Sequence, residues 1–158
     1  MNLEESTLRN RIHSLSVGLV MALFVALPVS AAENPKQHRI AMHVDQIDPE
    51  VMNLALNNAK NVIEHYRKRG EDVVVEIVTY SAGLHMLRAD TSQVKERIKE
   101  MVGQYSSMIK FAACQNTMQG MEKHEGHAIP LIPEATIVSS GVVELVELQE
   151  QGWSYIRP

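Results

Sequence analysis

The chain has 158 residues, with 15 Lys and Arg against 19 Asp and Glu and a formal net charge of −4. So mild an acidic balance excludes the electrostatic footprint of a nucleic-acid binder or of a protein held on anionic lipid. A single cysteine cannot close an internal disulfide, which excludes a disulfide scaffold as well.

Residues 1–31 read as a secretory signal peptide. Arg9 and Arg11 precede the uncharged run LSVGLVMALFVAL at 15–27, and Pro28 is followed by Val29, Ser30, Ala31 and Ala32. That is the n-region, h-region and small-residue cleavage pattern of export, and the run falls short of the roughly 20 apolar residues of a membrane span. Cleavage after Ala31 or Ala32 is expected, leaving a single periplasmic domain at 32–158 with no membrane attachment. A retained anchor is the alternative, and the acidic pair Glu4 and Glu5 is what speaks for it. An oxidising compartment favours paired cysteines. The lone Cys114 is therefore a buried small hydrophobe, an intermolecular link or a reactive group.

RIAMHV (39–44) reads as a short strand. DPEVMNLALNNAKNVIEHYRKRG (48–70) reads as a helix capped by Asp48, with Pro49 in its first turn and Gly70 at its end. Val51, Leu54, Ala55, Ala59, Val62, Ile63 and Tyr66 supply its apolar stripe. VVVEIVTY (73–80) is a β-branched run with little alternation, as in a strand covered on both faces. TSQVKERIKEMVGQ is a second helix with Val94, Ile98, Met101 and Val102 on one side. MIKFAA (108–113) is a third strand leading into Cys114, and QNTMQGMEKHEGH is helical or irregular. ATIVSS (135–140) is a fourth strand, GVVELVELQEQG (141–152) a short helix, and WSYIRP a possible last strand.

Strands alternating with helices predict a parallel sheet with helices on both faces, and ligands in such sheets bind outside the carboxyl ends of the strands. His43 falls near the end of the first strand, His85 just beyond the second and Cys114 at the end of the third. Ser139 and Ser140 end the fourth. A cysteine entering a helix meets free backbone N–H groups that stabilise its thiolate. Asn116 and Thr117 supply further donors, and His43 or His85, if within reach, accepts the proton or stabilises the anion as imidazolium. An inert buried thiol is the plain alternative.

A second pattern lies in MQGMEKHEGH, where Met118, Met121, His124 and His127 recur every three residues. In an exported protein such soft ligands suggest copper. Gly120 and Gly126 weaken the helix that would align them, and methionine at helical spacing is more often core filler. No phosphate-binding glycine loop, HExxH or CxxC is present. Glu144, Glu147 and Glu150 read as a solvated helix face.

The sequence resembles the DsrE/DsrF-like (DsrEFH-like) family, in particular its exported single-domain members. The likeness lies in HVD (43–45), NNAKNVIEHY (57–66), VEIVTYSAGLHML (75–87), FAACQNT (111–117) and IVSSGVVELVELQEQGWSYIRP (137–158), in that order. It implies a three-layer α/β/α fold around a mostly parallel five-stranded sheet, assembled as a trimer or hexamer. In the family's sulfur-relay members the cysteine matching Cys114 takes up sulfur as a persulfide and passes it on. A periplasmic sulfur (persulfide) carrier or relay is thus the first expectation, with a protein or a small sulfur species as donor and acceptor, Cys114 as the reactive group, His43, His85, Asn116 and Thr117 as its neighbours, and no cofactor. Two other readings stand beside it. One is a non-catalytic module binding a small ligand or copper in the same crevice. The other is an assembly subunit whose WSYIRP tail packs on a neighbouring copy, since Trp153 and Tyr155 suit interfaces.

Overall fold

The structure is a computed structural model and describes residues 37–158. The signal peptide expected at 1–31 lies outside the described residues. Five strands form one sheet: β1 (His38–Val44), β2 (Val73–Thr79), β3 (Ile109–Cys114), β4 (Ala135–Val138) and β5 (Ser154–Ile156). Their order is β4-β3-β2-β1-β5 and every pairing is parallel. Four helices connect them: α1 (Pro49–Lys68), α2 (Lys95–Tyr105), α3 (Gln115–Glu125) and α4 (Gly141–Glu150). This is a three-layer α/β/α fold, as expected.

Parity along the strands decides what each face of the sheet carries. Ile40, Met42 and Val44 of β1, Val75 and Ile77 of β2, and Ile109, Phe111 and Ala113 of β3 belong to one core cluster. Met52, Ala55, Leu56, Ala59 and Ile63 of α1, Ile98, Met101 and Tyr105 of α2, and the half-buried Met118 and Met121 of α3 pack into it. The opposite face holds a much smaller cluster, in which Ala41, Val78 and Ala112 meet Leu145 and Leu148 of α4. Alanines at two of those three sheet positions give α4 room to lie close. So α1, α2 and α3 cover one face and α4 alone covers the other.

The ends of α1 follow from its chemistry. Asp48 accepts the Glu50 amide at 2.8 Å and Pro49 opens the helix, while Gly70 takes the left-handed conformation beyond it (φ 69°). Its buried stripe is rotated from the expected one, with Met52 and Leu56 inside and Leu54 46% exposed. The two stripes share Ala55, Ala59 and Ile63, so packing against the sheet decides between them. The second helix begins at Lys95 instead of Thr91. Ser92 donates to the Met86 carbonyl and accepts the Val94 amide, which keeps 91–94 in a turn. The fourth strand ends at Val138, leaving Ser139 and Ser140 in the turn to α4. The WSYIRP tail is used within its own chain, as the edge strand β5 and as Trp153 packed on the α4-side cluster. No helix among the described residues is long and apolar enough to cross a membrane.

Candidate functional site

β3 and β4 are neighbours, yet the chain leaves β3 for α3 on one face and β4 for α4 on the other. A crevice opens between two such connections, at the carboxyl ends of the strands. Cys114 is the last residue of β3 and sits at this point. It is also the N-cap of α3, and its Sγ accepts the Thr117 amide at 3.4 Å.

Donors from both helices surround that sulfur. The Thr117 amide is the one that hydrogen-bonds it; the Asn116 amide and the Thr117 hydroxyl in the first turn of α3, and the Gly141 amide at the first residue of α4, are near enough to act on its ionisation. Burial pushes the thiol up, but these donors outweigh it, led by the Thr117 hydroxyl and then the Gly141 amide. The net result holds Cys114 below the ordinary cysteine range. The residue is only 4% exposed, so the thiol lies under a cover instead of standing open at the sheet edge.

Two local features make this possible. Thr117 Oγ1 accepts the Ser81 amide at 3.0 Å, which fixes the hydroxyl beside the sulfur and leaves its proton free to donate. Ser81 reaches this position in the left-handed region (φ 51°), a conformation that a non-glycine residue adopts at a cost. Gly141 admits the start of α4: a Cβ there would stand 3.0 Å from Tyr80 Cβ and Cδ1 and 3.3 Å from Cys114 Cβ.

His43 shares the α4 face with Cys114 but stands two strands away, roughly 10 Å laterally at ordinary strand spacing. Tyr80 intervenes, its ring stacked on the imidazole at 5.4 Å between centroids. His43 Nδ1 hydrogen-bonds the Tyr155 hydroxyl of β5. Its Nε2 is buried without a hydrogen bond, 3.5 Å from Asp45, which in turn lies 3.4 Å from Arg157. Cys114, Tyr80, His43 and Tyr155 thus come in order from four adjacent strands of the sheet. The phenol of Tyr80 is pushed up by burial and then by the Asp45 carboxylate.

His85 is not brought to the thiol. It lies in the 3₁₀ segment Ser81–Leu87, where its Nδ1 hydrogen-bonds the Thr91 hydroxyl at 2.8 Å, and it lines a hollow with Met52 and Ile47 on the other side of the sheet. Asn116 takes part through its backbone, not through its amide side chain. Tyr80 and Gly141 were absent from the sequence-derived candidates, Ser81 was only a weak candidate without a role, and Tyr155 was expected at an interface and not beside His43. The small pair Ser140–Gly141 at a strand-to-helix turn was the available signal for a close backbone approach.

The methionine–histidine row does not assemble. Met118 and Met121 turn onto the core, Met121 Sδ also accepting from Arg88 at 3.8 Å, whereas His124 is exposed and His127 lies past the end of α3 beside Glu125. Among the described residues no group of three or more His, Cys, Asp or Glu could hold a metal ion.

Fold and site together define an α/β protein with a buried thiol at the start of one helix and beside the start of another, at a strand crossover. A solved structure of a protein of unknown function, MTH1491 from Methanobacterium thermoautotrophicum, shares 34% sequence identity with the chain. The match covers 77% of this chain and 99% of that one, with a TM-score of 0.65. The chain belongs to the same family as that archaeal protein. No protein-family profile and no curated protein matches it.

Proposed function

We propose that the protein is a DsrE-like sulfur carrier that holds sulfur on Cys114 as a persulfide and acts in the periplasm after export through its leader. The observation that carries this reading is the position of Cys114 as N-cap of α3, its sulfur accepting the Thr117 amide, with the start of α4 at Gly141 packed beside it. An inert core cysteine needs no such position. A sulfur carrier needs it twice, to attack as a thiolate and to leave as one.

The chemistry balances without a further oxidant. The Cys114 thiolate attacks the terminal sulfur of thiosulfate, or the outer sulfur of a small persulfide. A new S–S bond forms as the old one breaks, and sulfite or the donor thiolate departs with the bonding pair. An acceptor thiolate then attacks the outer sulfur, and Cys114 leaves as the thiolate that its donors already stabilise. The cover over the thiol favours small sulfur species as donors. The exposed valines of α4, Val142, Val143 and Val146, give an acceptor protein or further copies of this chain an apolar surface next to the crevice, in keeping with a trimer or hexamer.

Intact mass after incubation with thiosulfate or polysulfide tests the proposal. The expected result is one added sulfur on the wild type, removed by a thiol acceptor, and none on Cys114→Ser. No addition to the wild type, or equal addition to both proteins, overturns it.

A further inference from the structure

Because α4 is short, it covers only the carboxyl half of its face of the sheet. At the amino half, a cavity of about 530 Å³ remains between the start of β1, the α1–β2 turn, the start of β3 and the α4–β5 turn. Its size falls in the range of small-molecule sites. It is remote from the thiol, at the other end of the strands.

Parity places Arg39, Val74 and Lys110 on this same face, Arg39 and Val74 side by side in register. The Trp153 indole forms one wall. Among the described residues Arg39 has no ion-pair or hydrogen-bond partner although it is half-buried, whereas Lys110 is exposed and lies in register beside Glu76. Arg39 Nη2 lies near Gly152, whose left-handed turn (φ 84°) brings Trp153 beside it. The Trp153 Nε1 is buried and has no acceptor. Arg39 is thus a half-buried cation with no partner at the cavity wall, and Lys110 is a second, solvent-exposed cation at its rim.

The carboxylates nearby decide the charge that the cavity accepts. Glu71 is already compensated by Arg69 and His38, which hold its carboxyl below the usual range. Glu76 lies under α4, where burial and then the Glu144 carboxyl push it up and Lys110 pulls it down. Asp72 alone stands uncompensated at the wall. The unpartnered Arg39, with Lys110 at the rim, favours a ligand with a single negative charge, and Val74 and Trp153 favour an apolar or aromatic body.

We propose that this cavity is a second binding site, independent of Cys114, for an amphipathic monocarboxylate, with Arg39 and Lys110 on the carboxylate and the Trp153 indole against the apolar part. Trp153 is the only tryptophan of the chain and so reports on its own site. The test titrates the full chain with 4-phenylbutyrate and follows Trp153 emission. A saturable change is expected, and it persists in Cys114→Ser. The neutral analogue 4-phenylbutanol, used on the unchanged protein, should bind about tenfold more weakly, as should 4-phenylbutyrate to Arg39→Gln and Lys110→Gln; tenfold corresponds to ~1.4 kcal/mol. A linear, unsaturable change overturns the proposal, and so does equal affinity for the acid and the alcohol. Loss of the signal in Cys114→Ser would place the ligand at the thiol and overturn it too.

Discussion

The two faces of the sheet are made by the same strands and do different work. The face under α1, α2 and α3 takes Ile40, Met42, Val44, Val75, Ile77, Ile109 and Phe111, its polar members being His38, stacked on Tyr66, and Thr79, bonded to the Ala112 carbonyl. The face under α4 takes Arg39, His43, Glu76, Tyr80, Lys110 and Cys114, with Ala41, Val74, Val78 and Ala112 as apolar floor. One face carries the large apolar core. On the other, a thin apolar strip under one helix separates the capped thiol from the cavity at the amino end. Strand alternation lets a single sheet keep its stability and its chemistry apart.

If stability resides in the first face, truncation there should cost far more than truncation on the second. Phe111→Ala removes a ring that is 1% exposed and should cost about 3–5 kcal/mol, measured by denaturant unfolding. Leu145→Ala, under a helix whose outer valines already meet solvent, should cost nearer ~2 kcal/mol, because the site can collapse. Equal costs would break the contrast between the faces.

Much of this was legible beforehand. The alternation of strands and helices dictates the parallel sheet, and the capping residues of α1 stand in the sequence. The apolar run 108–113 ends at Cys114, which fixes the thiol at a strand end. The pairing of faces was harder to read, although Arg39, Ala41 and His43 alternate with Ile40, Met42 and Val44, and Lys110, Ala112 and Cys114 with Ile109, Phe111 and Ala113. In β2 the alternation is hidden by valines on both faces, so that strand reads as uniformly covered. The rest of the site is long-range. Gly141 and Tyr155 reach Cys114 and His43 only through the order in which strands assemble, and no spacing along the chain announces that. His85 was placed by its position after a strand, but the 3₁₀ segment rotates it away.

The capped thiol can be tested against the uncapped state by removing one donor. A hydrogen bond to a charged group is worth about 1.5–3 kcal/mol. Thr117→Val should therefore slow iodoacetamide alkylation of Cys114 at neutral pH by roughly tenfold, whereas Thr117→Ser should restore it. The same donors link stability to pH. The folded pKa lies below the ordinary value of 9.0, so between the two the unfolded chain binds more protons and stability rises with pH. The stability of the wild type over Cys114→Ala should grow as pH rises through the folded pKa and level off above 9.0. A difference that is flat across that window means the thiolate is not favoured by the fold.

The smallest effects separate the two histidines. Tyr155→Phe deletes the hydroxyl that His43 Nδ1 engages and should cost about 1 kcal/mol, the net worth of one such bond. Because Tyr80 packs on both the imidazole and the Gly141 position, loss of that bond should also disturb Cys114 alkylation slightly. His85→Ala should leave the alkylation rate and its pH profile unchanged, since its partner Thr91 and its neighbour Met52 both lie on the side of the sheet away from sulfur. A shifted profile in His85→Ala would mean that the 3₁₀ segment Ser81–Leu87 transmits its packing to Ser81, whose amide holds the Thr117 hydroxyl. The division between the faces would then leak at that one segment, where β2 ends on the first face and the thiol begins on the second.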